Sequence, residues 1–119
     1  LGRGGQPEAH PKLGASWEGF ALEEVLRVTG DRDAYFWSTQ GVAELDLLVF
    51  LRGARFGFEF KYADAPAVTK SLQSAREDLG LRHAFVVHPG KETYTLNAWC
   101  DAIAIGDLHA RIQALVRAA

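Results

Sequence analysis

The stretch from Glu44 to Lys61 constrains this chain more than any other. Two runs, Glu44-Leu45-Asp46-Leu47-Leu48-Val49-Phe50-Leu51 and Phe56-Gly57-Phe58-Glu59-Phe60-Lys61, flank an Arg52-Gly53-Ala54-Arg55 break. In the second run Phe56, Phe58, Phe60 and Tyr62 alternate with Gly57, Glu59 and Lys61, the period of a strand with one aromatic face and one charged face. Glu59 and Lys61 therefore share a face. The first run reads as a strand with Leu45, Leu47, Val49 and Leu51 on one side and Glu44, Asp46, Leu48 and Phe50 on the other. Apolar on both faces beyond Asp46, it is expected to be an interior strand, and Gly53 supplies a tight hairpin to the next one. Charge on a mostly buried strand needs a partner. Two carboxylates beside a lysine suit a divalent cation with a water next to it.

The remaining composition bounds the class. At 119 residues, 48% of them hydrophobic, the chain suits one globular domain with a genuine core. Its single cysteine, Cys100, excludes an internal disulfide and a thiolate zinc site, and its setting in Ala98-Trp99-Cys100-Asp101 reads as packed core. No stretch approaches the roughly 20 apolar residues that cross a bilayer, and no signal peptide is evident, so no membrane partner and a cytoplasmic location are expected. A net charge of −2 offers no bulk attraction for nucleic acid, so phosphate binding would need a local patch. Arg52, Arg55, Lys12, Lys70 and Arg76 are its candidates.

Residues 1–15, rich in Gly and Pro, read as a linker or tail from a preceding region, with the domain proper over 16–119. Gly2-Arg3-Gly4-Gly5 lacks the ending and the preceding strand of a phosphate loop. Ser16 can cap a helix from Trp17 to about Val28 that Gly30 stops. On that helix Glu18 falls inside the apolar half with Trp17, Ala21, Leu22, Val25 and Leu26, either as a glutamate favoured by the first turn or aimed at the acids of the sheet. After the polar turn Asp31-Arg32-Asp33, Ala34 to Thr39 is aromatic enough for a strand, closed by Gln40-Gly41. Beyond Asp64 and Pro66 a second helix is expected over about Ala67 to Leu79, ended by Gly80, with Lys70, Gln73 and Glu77 off its apolar stripe. Lys70 and Gln73 read as solvated or as contacts to a substrate backbone. His83 to His88 and Thr93 to Leu96 complete a five-strand set. Trp99, Ile103 and Ile105 form an apolar return, and Asp107 caps a last helix carrying Leu108, Ile112 and Leu115.

The order helix, three-strand meander, crossover helix, strand, strand, helix predicts a mixed α/β sheet flanked by helices. In this order the chain resembles the PD-(D/E)xK restriction-endonuclease-like superfamily with its αβββαβ core: Asp46 matches the aspartate, and Glu59-Phe60-Lys61 matches the (D/E)xK. Leu45 stands where the superfamily name has proline. More narrowly, His10-Pro11-Lys12-Leu13-Gly14, Trp17-Glu18-Gly19-Phe20, Glu44-Leu45-Asp46 and Glu59-Phe60-Lys61 are similar to the nuclease-like domain that follows AAA-type ATPase modules in bacterial and archaeal proteins. The resemblance spans roughly His10 to Leu108. It implies Mg²⁺- or Mn²⁺-dependent hydrolysis of nucleic acid, DNA first, by a C-terminal piece of an ATPase. Asp46, Glu59 and the main-chain carbonyl of Phe60 would ligate the metal, and Lys61 would hold or deprotonate the attacking water. Glu44 would assist, and Glu18 would orient a metal-bound water or bind a second ion.

Two other classes stay open. The ionic groups could form a structural cluster in an inactive nuclease fold that serves as a nucleic-acid-binding, protein-interaction or regulatory module of the ATPase. A small-molecule enzyme would have to use His10, His83, His88 or His109, which share no metal-ligand spacing.

Overall fold

The computed structural model describes residues 9–30, 34–38, 44–63 and 65–118, with side-chain surroundings from Ser16 onward except at Ser38, Glu44 and Ala118. The expected turns at Asp31-Arg32-Asp33 and Gln40-Gly41, the Gly2-Arg3-Gly4-Gly5 segment, Asp64 and the side chains of His10 and Lys12 lie outside these residues. Three helices, α1 (Ala9–Thr29), α2 (Lys70–Leu79) and α3 (Ile105–Ala118), accompany six strands, β1 (Ala34–Ser38), β2 (Glu44–Leu51), β3 (Ala54–Phe60), β4 (His83–His88), β5 (Tyr94–Asn97) and β6 (Cys100–Ala104). The strands form one mixed sheet in the order β1-β2-β3-β4-β6-β5. β1, β2 and β3 run antiparallel, β3, β4 and β6 parallel, and β5 returns antiparallel to β6.

Each face of the sheet has its own core. On one, Phe56, Phe58 and Phe60 pack with Leu47, Val49, Phe85 and Ile103 under Ala21 and Val25 of α1 and Leu108 and Ile112 of α3. On the other, Leu45, Leu48, Ala84, Val86 and Cys100 pack under Leu72 and Ala75 of α2. β4 is buried on both faces from Ala84 to Val87, which its parallel neighbours on either side require. No helix among the described residues is long and apolar enough to cross a membrane.

Local chemistry explains the boundaries. Arg52 (φ 50°) and Gly53 (φ 83°) make the two-residue left-handed turn that joins β2 to β3. The Thr69 hydroxyl accepts from the Leu72 N–H and so starts α2, and Gly80 (φ 64°) ends it with its N–H on the Arg76 carbonyl. Gly30 (φ 81°) donates to the Leu26 carbonyl and stops α1.

Several features differ from the sequence expectation: α2 begins at Lys70 rather than Ala67, and α3 begins at Ile105, so Asp107 lies within its first turn, where its carboxylate accepts from the Thr93 hydroxyl, and does not cap it. α1 begins at Ala9, so residues 9–15, expected as linker, are helical; Pro11 falls in the first turn, where its missing N–H costs nothing. Ser16 is consequently inside the helix and caps nothing. The apolar return is a strand, β6, inserted between β4 and β5, so the sheet has six strands rather than five. Finally, Leu45 and Leu47 occupy opposite cores. Tyr35 pairs with Leu48 but Trp37 with Leu45, so β2 carries one extra residue against β1, a bulge spanning Asp46 and Leu47.

Candidate active site

The bulge gives Asp46 its setting. Regular pairing of β2 with β3 runs from Leu51↔Ala54 to Leu47↔Phe58. Just beyond it the Phe60 N–H donates to Asp46 Oδ2 at 2.8 Å. A bulge beside an active site typically re-aims a side chain. Here it ties the β2 acid to the Glu59-Phe60-Lys61 segment of the neighbouring strand.

On β3, Phe58 and Phe60 face the α1/α3 core, so Glu59 lies on the α2 side, where its charge helps to push the Cys100 thiol up to about 12, after burial and the charge of Asp101. Lys61 follows the strand end, and its N–H donates to the Val87 carbonyl at 2.8 Å. Its Nζ lies 3.8 Å from Glu59 Oε2; the glutamate side chain is 15% exposed and the lysine 44%. The expectation that these two share a face holds.

Glu18 comes from α1. The Trp17 and Tyr62 rings meet with centroids 5.8 Å apart. This contact draws together the residues that adjoin them, Glu18 and Lys61. Partial burial raises the Glu18 carboxyl pKa first, the charge of Asp46 raises it further, and the charge of Lys61 pulls it back. Glu18 is thus within electrostatic reach of both, as its place in the apolar half of the helix suggests. Glu44 opens β2 next to this end, with its side chain outside the described part.

The donor set fits a hard divalent cation. Asp46, Glu59 and the Phe60 carbonyl all offer oxygen. A bound cation would offset the charge of Asp46, which adds to burial in raising the Glu18 pKa. Among the described residues no three His, Cys, Asp or Glu side chains group as a metal cage. Two carboxylates with a main-chain carbonyl would leave the other positions to water, as Mg²⁺ prefers.

The basic candidates are scattered. Arg52 and Arg55 sit at the hairpin turn, the other end of β2 and β3 from Asp46 and Lys61. Arg55 Nη1 donates to the Leu79 carbonyl at 2.7 Å and its guanidinium covers Phe50. Arg76 stacks over Trp99. Lys70 is exposed at the start of α2, and Gln73 is exposed one turn on. Among the described residues the histidines form no common site. His88 is buried, its Nδ1 accepting from the Gly90 N–H and its Nε2 2.8 Å from the Glu92 carbonyl, while His109 is exposed on α3. Sequence reasoning missed one ionic group: His83 of β4, Asp101 of β6 and Arg111 of α3 converge from three elements. No spacing in the chain announces it.

The model of a domain of unknown function, DUF4143, matches residues 13–108. Two uncharacterised proteins, one from Mycobacterium bovis and one from Mycobacterium tuberculosis, are each 44% identical to the chain over 90 residues, covering 76% of it. The chain spans 20% of the length of these curated relatives. No solved structure matches.

Proposed function

The chain belongs to the DUF4143 family, a membership that prescribes no chemistry, and we propose that it is a PD-(D/E)xK-like nuclease domain that hydrolyses phosphodiesters of nucleic acid, DNA first, with Mg²⁺ or Mn²⁺. The observation that carries this reading is the hydrogen bond from the Phe60 N–H to Asp46, which fastens the β2 acid to the Glu59-x-Lys61 strand end. Supporting it, Glu18 senses both Asp46 and Lys61.

Asp46, Glu59 and the Phe60 carbonyl would hold the ion. When bound it supplies Lewis-acid stabilisation of charge on the phosphate. Lys61 holds the attacking water by donating to it from its ammonium. Glu59, 3.8 Å away, positions the Lys61 head. Glu18 orients a water on the α1 side, and Glu44 assists from the start of β2. Lys70 and Gln73 lie at the end of the sheet where Lys61 lies and would meet the substrate backbone. In this reading the domain works in the cytoplasm as the C-terminal part of an ATPase, for which the remaining length of its relatives leaves room.

A second reading, an inactive nuclease fold acting as a binding or regulatory module of that ATPase, is favoured by the engagement of Arg55 with Leu79 and Arg76 with Trp99, which occupies two of the basic candidates for phosphate contact. Calorimetric titration with Mn²⁺ and a cleavage assay separate the two. Asp46→Ala is expected to weaken ion binding at least about tenfold. Lys61→Ala keeps the ion and lowers cleavage by about 10²-fold or more. Absence of ion binding by the parent chain would leave the second reading.

A further inference from the structure

At the opposite end of the sheet from Asp46 and Lys61, where β4 and β6 begin, a cavity of about 410 Å³ opens between the strand ends and α3. We propose that this cavity is a binding site for a small organic anion, an oxyanion head group carried on an apolar body.

Its floor is apolar. Phe56 and Phe85 are almost completely buried there, and Leu115 of α3 forms one wall. Its polar rim is cationic. Arg111 Nη1 donates to Asp101 Oδ2 at 2.8 Å, and the guanidinium stands over the Phe85 ring, 5.7 Å from its centroid. Held on two sides, the planar head keeps further N–H donors for a ligand. His83 Nε2 lies 3.2 Å from the same Asp101 oxygen. Arg82 lines the cavity with its side chain exposed, while its backbone N–H is fixed on the Arg55 carbonyl at 2.8 Å. The charges decide the sign of the ligand: two guanidiniums face one carboxylate that Arg111 already neutralises, and among the described residues Arg82 forms no ion pair. A volume of this order holds a ligand the size of a mononucleotide. Arginine suits a phosphate or carboxylate head through paired donors. The apolar floor offers a bare inorganic anion nothing, so the body contributes to affinity.

The site is independent of the metal-dependent reading, since it shares no residue with it. The test follows amide shifts and calorimetric heats of the 119-residue chain, without divalent ions, on titration with adenosine 5′-monophosphate, benzoate and inorganic phosphate. At least one of the two organic anions is expected to bind, with shifts at His83, Asp101 and Arg111, and inorganic phosphate about tenfold more weakly or worse. Binding by the nucleotide alone assigns a phosphate head, and binding by benzoate alone a carboxylate. Arg82→Gln is expected to weaken binding about tenfold without moving Tm, because its exposed side chain makes no hydrogen bond or ion pair among the described residues. Asp46→Ala is expected to leave it intact. Lack of binding by both organic anions, equal affinity for inorganic phosphate, or unchanged affinity in Arg82→Gln would each overturn the proposal and leave Arg111, Asp101 and His83 as a pin between α3 and the sheet.

Discussion

Glu18 shows how one misplaced charge reports on a site. Its raised pKa means that the folded chain holds the proton more tightly than the unfolded chain does. Stability therefore falls as pH rises from the ordinary value near 4.5 through the folded value. Glu18→Gln is expected to remove that fall and to raise Tm at pH 7 but not at pH 4. Because Glu18 is exposed, solvent screening limits the gain to less than about 1 kcal/mol. Thermal melts of both chains across that pH range check the sign, and a steeper fall in the variant would contradict the placement of Glu18 beside Asp46. Asp101 behaves oppositely. Burial raises its pKa, but the Arg111 hydrogen bond and the charge of the neighbouring His83 outweigh it, so its contribution is present above the ordinary carboxylate range and lost as pH falls below it. Cys100 is fully buried with its thiol pushed up to about 12. A thiol reagent at pH 8 is expected to leave it unmodified in the native state and to label it on unfolding.

The β2–β3 hairpin is the element on which the candidate site depends. Arg52 occupies the left-handed region at φ 50°, a conformation that costs a side-chain-bearing residue about 1 kcal/mol. Arg52→Asn, which creates the Asn-Gly pair such turns favour, is expected to stabilise the chain by up to about 1 kcal/mol, and Gly53→Ala to destabilise it by about as much. Urea melts with unchanged slope measure both. Much of this element is legible in sequence. The alternation of Phe56, Phe58 and Phe60 gives a strand with Glu59 and Lys61 together, and acids against an apolar background mark Asp46 and Glu18. The bulge at Asp46 is not legible. Alternation is a property of one strand, whereas a bulge arises from the register between two. The early start of α1 is hidden for a different reason: Pro11 and Gly14 look like breakers, yet a proline in the first turn interrupts no hydrogen bond. Gly57 has a packing role, since a Cβ there would lie 2.7 Å from Leu81 Cδ1 and 3.2 Å from Leu45.

At the scale of the molecule, two cores share one sheet, and the helices divide into α1 with α3 on one face and α2 on the other. The mixed α/β class follows from the order of elements. The insertion of β6 between β4 and β5 does not, because a strand's lateral neighbours are chosen by distant parts of the chain. The ionic group of His83, Asp101 and Arg111 was hidden for the same reason: its three members meet only once β4, β6 and α3 are in place.

This sheet order also implies a chronology. β2 and β3 are neighbours in sequence and close a two-residue loop at small entropic cost, whereas β6 has to find β4 across the whole β5 excursion. Pulse-labelling hydrogen exchange during refolding is expected to protect amides of Leu47 to Phe58 before those of Cys100 to Ala104. The two ends of the sheet would then mature at different moments: the carboxylate end is nearly complete in a nucleus of two ribbons, while the arginine-rimmed hollow exists only after the last strand and helix have docked.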